Sequence, residues 1–133
     1  MKQVNNIKVY YADTDAYGVV WHGSYLRWLE AGRVDYTDKI LGLSLSQMQA
    51  QGCVLPVVEL NVKYKSSARL DDELVLETEI EERRKSAIIF KQTLKNAKTD
   101  KINIVATVVC VAVDTTTNKM MRTLPNSLMA CSI

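Results

Sequence analysis

The sequence predicts an α+β fold in which an antiparallel sheet of five or six strands wraps around one long central helix. Three features support this prediction: one stretch has helical periodicity, several later stretches have two-residue periodicity, and only short turns separate those later stretches. The chain of 133 residues contains no repeat, low-complexity tract or linker, so we expect a single domain over residues 1–133. With 47% hydrophobic residues and a net charge of +2, the composition indicates neither disorder nor a nucleic-acid partner.

The first predicted element is a short, half-buried strand at residues 7–11, where apolar and polar positions alternate. The face expected to be buried carries Ile7, Val9 and Tyr11. Residues 12–21 are predicted to form a loop, because Asp13, Asp15 and Gly18 are typical turn residues.

A long helix is predicted at residues 24–40, since apolar side chains recur there at helical spacing. The apolar face consists of Tyr25, Trp28, Leu29, Gly32, Tyr36 and Ile40. A glycine inside a helix costs about 1 kcal/mol relative to alanine, so Gly32 is expected to permit the close approach of another backbone. Gly42 is expected to end the helix in a left-handed conformation, and a second short helix with a serine cap is expected at residues 44–51.

The rest of the chain has a two-residue period and predicts four strands. We expect these strands at residues 58–65, 74–81, 88–95 and 102–113, with turns at 69–72, 83–86, 98–101 and 115–118. The last strand is apolar at both alternating sets of positions, so both of its faces should be covered. One helix cannot cover both faces of a sheet, and we therefore expect a second subunit to supply the missing cover.

The loop before the helix carries the residues most suited to chemistry. Asp13 or Asp15 could act as a nucleophile or general base, and the unpaired N–H groups of the first helical turn could bind a developing oxyanion. The alternative for both residues is an Asx-turn, the usual role of aspartate in loops. His22 is the only histidine and has no partners for a metal site, so a structural role against Trp21 or Tyr25 is its alternative.

A second polar cluster, Arg83, Arg84 and Lys85, falls at a predicted hairpin end. It is either a solvated turn that protects strand edges or a site for phosphate groups, which arginine binds in a bidentate manner. Three glutamates, Glu79, Glu81 and Glu82, precede the cluster and offset its field. A small polyphosphate ligand therefore fits this cluster better than a nucleic acid.

The three cysteines, Cys53, Cys110 and Cys131, are an odd number at unrelated spacings, which argues against a disulfide framework or a zinc site. We expect them to be core residues, and nothing in the sequence places Cys53 or Cys131 beside His22. No apolar run reaches the roughly 18 residues of a membrane span, and the first residues lack the apolar region of a signal peptide. We therefore expect a cytoplasmic protein.

Three segments resemble one known family. Residues 9–26 read VYYADTDAYGVVWHGSYL and strongly resemble the signature of the 4-hydroxybenzoyl-CoA thioesterase family, which are hotdog-fold acyl-CoA thioesterases that include the short-chain enzymes of bacterial Tol–Pal gene clusters. Residues 68–74, ARLDDEL, resemble the turn between the second and third strands of that family. Residues 82–86, ERRKS, are similar to the hairpin that contacts the CoA phosphates in members with aromatic substrates.

The resemblance implies a hotdog fold and hydrolysis of an acyl-CoA thioester to the free acid and CoA. It implies that Asp15 is the catalytic carboxylate and that the oxyanion is bound by a backbone N–H at His22 or Gly23. The implied substrate-binding residues are Tyr17, Gly18, Val19, Tyr25, Arg83, Arg84 and Lys85. Many relatives carry asparagine at position 24, whereas this chain has Ser24, which could still cap the helix.

The same resemblance bears on cofactors and partners. No metal or redox cofactor is expected, because a thiol with a pKa of about 8.5, the value for cysteine, leaves a thioester readily. The substrate could be carried by CoA or by acyl carrier protein, and the assembly is expected to be a homodimer or a homotetramer. Two alternatives are a hotdog protein that binds acyl thioesters without turnover and a hotdog dehydratase or hydratase.

Overall fold

The computed structural model describes residues 1–129, so Cys131 lies outside the described residues. In chain order the elements are β1 (Gln3–Lys8), a 3-10 turn (Tyr11–Asp13), α1 (His22–Asp35), a π-helical stretch (Tyr36–Ile40), α2 (Leu45–Ala50), β2 (Cys53–Val54), β3 (Val57–Tyr64), β4 (Glu73–Arg83), β5 (Ala87–Asn96), β6 (Ile102–Val111), β7 (Val113–Asp114), β8 (Lys119–Met120) and α3 (Asn126–Met129). None of these helices is long and apolar enough to cross a bilayer.

The main sheet has five antiparallel strands in the order β1-β4-β5-β6-β3, and α1 packs against one of its faces. This arrangement confirms the predicted hotdog fold. A second small sheet, β2-β7-β8, contains the end of the last predicted strand, which leaves the main sheet after Val111. The predicted turn at 115–118 connects β7 to β8.

The long helical segment confirms the predicted apolar face but begins earlier than predicted. It starts at His22 and continues from 14 α-helical residues into five π-helical residues that end at Ile40. The buried residues of this face are Tyr25, Trp28, Leu29, Gly32 and Tyr36, and Ile40 is partly buried against the core. Gly42 has the expected positive φ of 72°, and Ser44 caps α2 by accepting a hydrogen bond from the Gln47 N–H at 3.1 Å.

The prediction for the first strand is wrong in its position. β1 ends at Lys8 because its partner β4 begins at Glu73, and these two residues form the last pair. Val9 then donates one backbone hydrogen bond to the Asp72 carbonyl at 2.9 Å and is buried, after which the chain turns. Tyr11 therefore lies in the 3-10 turn and is 81% exposed instead of buried.

Gly32 allows a close approach, as predicted, but to side chains of the sheet and not to a backbone. A Cβ atom at this position would lie 2.7 Å from both Leu76 Cδ2 and Thr78 Oγ1. Beside it, the buried Gln92 amide donates hydrogen bonds to the Leu29 carbonyl at 2.8 Å and to Thr78 Oγ1 at 2.9 Å. These contacts fix the rotation of α1 about its own axis relative to the sheet.

Two parts of the sheet stay uncovered within one chain. The outer face of β6, which includes Val105, Val109 and Val111, is only partly buried among the described residues. β3 forms an edge of the sheet, and its apolar residues Val58 and Leu60 are 60% and 43% exposed. The described cysteines, in contrast, are core residues as expected, and burial raises the pKa of both the Cys53 and Cys110 thiols.

Candidate active site

Asp13 joins the loop to the start of α1 and uses both of its carboxylate oxygens. Oδ2 accepts the Tyr10 N–H at 2.9 Å, and Oδ1 lies 2.6 Å from the Arg27 guanidinium. The carbonyl of Asp13 accepts two more hydrogen bonds, from the Trp21 N–H at 2.9 Å and from the Ser24 hydroxyl at 3.1 Å. Because Asp13 is buried and fully bonded, it is a structural residue of this loop.

The expectation that Ser24 caps the helix is wrong. Since α1 begins at His22, the capping position is held by Trp21, which makes no side-chain capping bond. Ser24 lies three residues after Trp21, is buried, and donates its hydroxyl to the Asp13 carbonyl. This serine therefore ties the helix to the loop and leaves the first helical N–H groups uncapped.

Asp15 differs from Asp13 in the hydrogen bonding of its carboxylate. Its Oδ1 accepts the Tyr17 N–H at 2.8 Å, which is the Asx-turn that its position in a loop allows. Among residues 1–129, no group donates a hydrogen bond to its Oδ2. The loop is further closed by a bond from the Gly18 N–H to the Asp15 carbonyl at 3.1 Å, for which Gly18 adopts a φ of 77°.

Asp15 borders a cavity of about 330 Å³ at the start of α1, which we call the loop cavity. Its lining residues are Asp15, Val20, His22, Tyr25, Tyr64, Lys65, Ser66 and Ser67. The first helical N–H groups, those of His22 and Gly23, have no acceptor among the described residues. Asp15 and His22 border the cavity together, whereas Gly23 does not line it and lies under the Trp21 ring. A carboxylate and the unbonded N–H of His22 can attack a carbonyl and bind its oxyanion.

Two aromatic contacts shape the loop cavity near the helix start. The ring of His22 lies 5.1 Å from the ring of Trp21, so this histidine both borders the cavity and packs against the tryptophan. A side chain on Gly23 would overlap the Trp21 ring in its present position. Tyr25 is buried, and its hydroxyl accepts the Ala68 N–H at 2.9 Å. Burial raises the pKa of Tyr25, so the phenol is neutral at physiological pH.

Known proteins similar to this chain identify its family. The family model of the thioesterase-like superfamily matches residues 9–130. This chain belongs to the thioesterase-like superfamily. The match includes the whole loop from Val9 to Val20, the start of α1 and all strands of the main sheet except β1.

Several proteins similar to this chain have more specific names. The acyl-CoA thioester hydrolase YbgC of Escherichia coli O6:H1 is 38% identical over 126 residues, which are 93% of this chain and 90% of that protein. The 4-hydroxybenzoyl-CoA thioesterase of Pseudomonas sp. (strain CBS-3) is 31% identical over 90 residues, 65% of this chain and 63% of that protein. The solved DHNA-CoA thioesterase of Staphylococcus aureus has a TM-score of 0.83 at 31% identity and covers 91% of this chain and 80% of that chain.

Three of the other predicted substrate-binding residues lie in the loop but do not line the loop cavity. Tyr17 is 88% exposed and does not line the loop cavity. Gly18 forms the turn already described, and Val19 is paired with Arg69 in an isolated bridge. Of the four signature residues predicted to bind substrate, only Tyr25 is brought to the cavity together with Asp15 and His22.

The predicted phosphate cluster lies at the opposite end of the molecule from the loop cavity. β4 begins beside the loop and reaches Arg83 after a run of roughly 30 Å. There the Arg83 Nε donates to the Leu128 carbonyl at 3.0 Å, and the Arg84 Nε donates to Glu82 at 2.9 Å. Within one chain, therefore, Arg83, Arg84 and Lys85 do not border the loop cavity.

A second cavity, of about 310 Å³, lies between the later part of α1 and the start of β3, and we call it the arginine cavity. Its lining residues are Glu30, Arg33, Val34, Thr37, Leu45, Leu55, Pro56, Val57, Phe90 and Cys110. Arg33 is not among the site residues predicted from the sequence. The available signal was its position four residues after the buried Leu29, which places a cation beside the apolar face of the helix.

Proposed function

We propose that this member of the superfamily is a cytoplasmic enzyme that hydrolyses acyl-CoA thioesters to a free acid and CoA. The observation that carries the proposal is the loop cavity, which joins Asp15, with one unbonded carboxylate oxygen, to the uncapped start of α1. The named activities of YbgC and of the Pseudomonas enzyme support the choice of an acyl-CoA substrate. Acyl carrier protein is the alternative carrier, because it presents the same thioester.

The reaction follows from the two groups at the cavity. The N–H groups of His22 and Gly23 bind the carbonyl oxygen and stabilise the negative charge that develops on it. Asp15 attacks the carbonyl carbon, the C–S bond breaks, and CoA leaves as a thiolate that takes a proton from water. Water then opens the mixed anhydride, which releases the acid and restores Asp15. In the general-base variant of this proposal, Asp15 instead takes a proton from the attacking water.

No metal or redox cofactor is needed in this proposal. A leaving thiol with a pKa near 8.5 departs without strong acid assistance, and no electron is transferred in a hydrolysis. The side chain of His22 borders the cavity and positions the substrate, while its backbone provides the oxyanion contact.

A second copy of the chain completes the site in this proposal. β3 is an open edge, and antiparallel pairing of β3 with itself about a two-fold axis at Asn61 places Glu59 opposite the partner's Lys63, twice per dimer. Pairing centred on Glu59 or on Lys63 would instead oppose like charges. The two-fold pairing also buries Leu60, which is 43% exposed in one chain.

This pairing brings the partner's phosphate cluster toward the loop cavity. Val57 pairs with Cys110, Cys110 with Ile88, and Ile88 with Arg83, so these four residues form one row across the sheet. In the two-fold register, the Val57 end of the partner's β3 lies beside the Tyr64 end of the first chain's β3. The loop cavity of the first chain is at that Tyr64 end. Within the partner, Arg83 on β4 is three strand spacings, roughly 15 Å, from Val57 on the β3 edge where the two chains pair. The proposed partner cluster binds the CoA phosphates.

The activity is tested by thiol release from a panel of acyl-CoA thioesters, with the same acyl groups on acyl carrier protein as a second arm. We expect thiol release from at least one acyl-CoA. Tight binding without release would favour the non-catalytic binder, and hydration of an enoyl-CoA without release would favour the hydratase. Either result would overturn the proposal.

The role of the phosphate cluster is tested by the double variant Arg84→Met, Lys85→Met. We expect KM for an acyl-CoA to rise about tenfold, because charge-assisted bonds to phosphate are lost. The matched substrate is the same acyl group on pantetheine, which lacks the phosphates and whose KM should not change. An equal rise for both substrates would mean that the cluster does not contact the nucleotide.

A further inference from the structure

Arg33 holds a half-buried charge for which one chain provides little compensation. Its Nη1 donates to the Gln92 Oε1 at 3.0 Å, and no carboxylate within residues 1–129 lies in ion-pair distance. Burial lowers the pKa of Arg33, with weaker opposing effects from Cys110 and Glu30. A guanidinium has five N–H donors, so most of its donors remain available to a ligand in the cavity.

The rest of the arginine cavity is mainly apolar and suits an acyl chain. Val34, Leu45, Leu55, Val57 and Phe90 form most of its wall. The volume of about 310 Å³ is at the lower end of the range for small-molecule pockets. The polar lining residues are Arg33, the exposed Glu30 and Thr37. Apolar walls with one cation set among them are suited to a short chain that carries an oxygen at one point.

The two cavities of one chain are far apart, whereas those of two paired chains are neighbours. The loop cavity lies at the Tyr64 end of β3 and the arginine cavity at the Val57 end. Seven residue steps of the strand, roughly 23 Å, separate them within a chain. In the two-fold register centred on Asn61, Tyr64 instead lies opposite the partner's Val58, so the loop cavity of one copy adjoins the arginine cavity of the other.

We propose that the arginine cavity of the partner subunit receives the end of the acyl group remote from the thioester, and that the partner's Arg33 selects acyl groups carrying a hydrogen-bond-accepting oxygen there. This inference rests on the proposed function and on its two-fold dimer. Arg33 donates to that oxygen, while the apolar wall binds the methylene groups between it and the thioester. Arg33 can bind either a carboxylate or a hydroxyl at that end of the acyl group, because both have an oxygen that accepts a hydrogen bond.

The first experiment compares matched acyl-CoA substrates with the wild-type protein. The pairs are succinyl with butyryl, glutaryl with pentanoyl and adipyl with hexanoyl thioesters, with ω-hydroxyacyl thioesters of the same lengths as a third arm. We expect a higher kcat/KM for the oxygen-bearing member at one or more lengths. A preference limited to the carboxylates identifies an anionic acyl group, and a preference shared with the hydroxyl series identifies a neutral oxygen. Equal or better hydrolysis of the alkyl member at every length would overturn the inference.

The second experiment removes the cation. In Arg33→Met the preference ratio should fall about 10- to 100-fold, the loss expected for one charge-assisted hydrogen bond. Arg33→Lys keeps a charge and a donor toward Gln92, so it should retain part of the preference even if Arg33→Met is unstable. The matched control is Arg122→Met, an exposed arginine that lines neither cavity. An unchanged ratio in both Arg33 variants would overturn the inference.

The third experiment shows which copy supplies Arg33. We combine an Asp15→Asn chain and an Arg33→Met chain, carrying different affinity tags, and isolate the mixed dimer. One of its two sites then contains Asp15 from one chain and Arg33 from the other, so it should show about half of the wild-type activity on the preferred oxygen-bearing substrate. If both residues came from one chain, neither site would be intact and no such recovery would occur.

These experiments separate two kinds of failure. A wild-type protein that releases no thiol, or an Asp15→Asn homodimer with full activity, contradicts the proposed function itself. An active wild-type protein whose Asp15→Asn homodimer is inactive, but whose mixed dimer does not recover, contradicts the arginine inference alone.

Discussion

The two parts of the loop between β1 and α1 use the same residue type in opposite ways. In the first part, Asp13 is 6% exposed and its carboxylate is occupied by a backbone N–H and by Arg27. In the second part, Asp15 is partly exposed and has one oxygen with no donor among residues 1–129. Both face the same helix start, two residues apart.

The difference shows what separates a structural carboxylate from an available one. Each oxygen of the Asp13 carboxylate is held by a donor, so this side chain cannot move toward a substrate without breaking those bonds. Asp15 has one carboxylate oxygen without a donor among residues 1–129 and a cavity beside it. The following predictions test this contrast, beginning with the largest effect.

Asp15→Asn should reduce kcat for thioester hydrolysis by about 10²- to 10⁴-fold, because the amide is neither a nucleophile nor a base. The free energy of unfolding should change by less than about 0.5 kcal/mol, since the amide oxygen can still accept the Tyr17 N–H. Thiol release and urea denaturation measure the two quantities. Asp38→Asn, an exposed position on the helix, is the matched control. Near-normal turnover in Asp15→Asn would exclude its catalytic role.

Asp13→Asn should have the reverse profile. The free energy of unfolding should fall by about 1.5 to 3 kcal/mol, because the single amide oxygen can accept from only one of the two donors, the Tyr10 N–H and the Arg27 guanidinium, and the buried NH2 group then faces the other donor. The loss of kcat should be smaller than in Asp15→Asn. Urea denaturation and thiol release on the same preparations check this, and a variant as stable as the wild type would contradict the structural assignment.

Arg27→Met should be milder than Asp13→Asn, since the Arg27 side chain is 66% exposed. We expect a destabilisation of about 0.2 to 1 kcal/mol, the range for exposed ion pairs. In the double variant with Asp13→Asn the two effects should not add, because both single changes remove the same contact. If the two single variants and the double variant showed additive losses of stability by urea denaturation, the Asp13–Arg27 pair would contribute nothing to the stability of the fold.

Tyr17→Ala should have the smallest effect on stability, within about 0.5 kcal/mol, because the side chain is 88% exposed and only its backbone N–H binds Asp15. A rise in KM without a change in kcat would support the predicted substrate contact of Tyr17. Unchanged kinetics would assign its side chain no role in binding.

Periodicity was enough to predict the central helix, its buried face and the four later strands of the main sheet, because burial repeats with the geometry of each element. Spacing could not distinguish Asp13 from Asp15, since the difference lies in which donors the fold brings to each carboxylate. The end of β1 depends on where its partner strand begins, which is a tertiary fact. The arginine cavity was missed because Arg33 reads as the polar edge of an amphipathic helix until the strands beside it are placed.

The two tryptophans of this chain differ in a way that provides an optical probe. Trp28 is buried in the core and lines neither cavity, so its fluorescence should change less on binding. Trp21 is 51% exposed and lies over Gly23 and against the His22 ring, beside the proposed position of the thioester carbonyl. Emission from Trp21 should therefore change when that position is filled, which allows occupancy to be titrated with a non-hydrolysable acyl-CoA and without any added label.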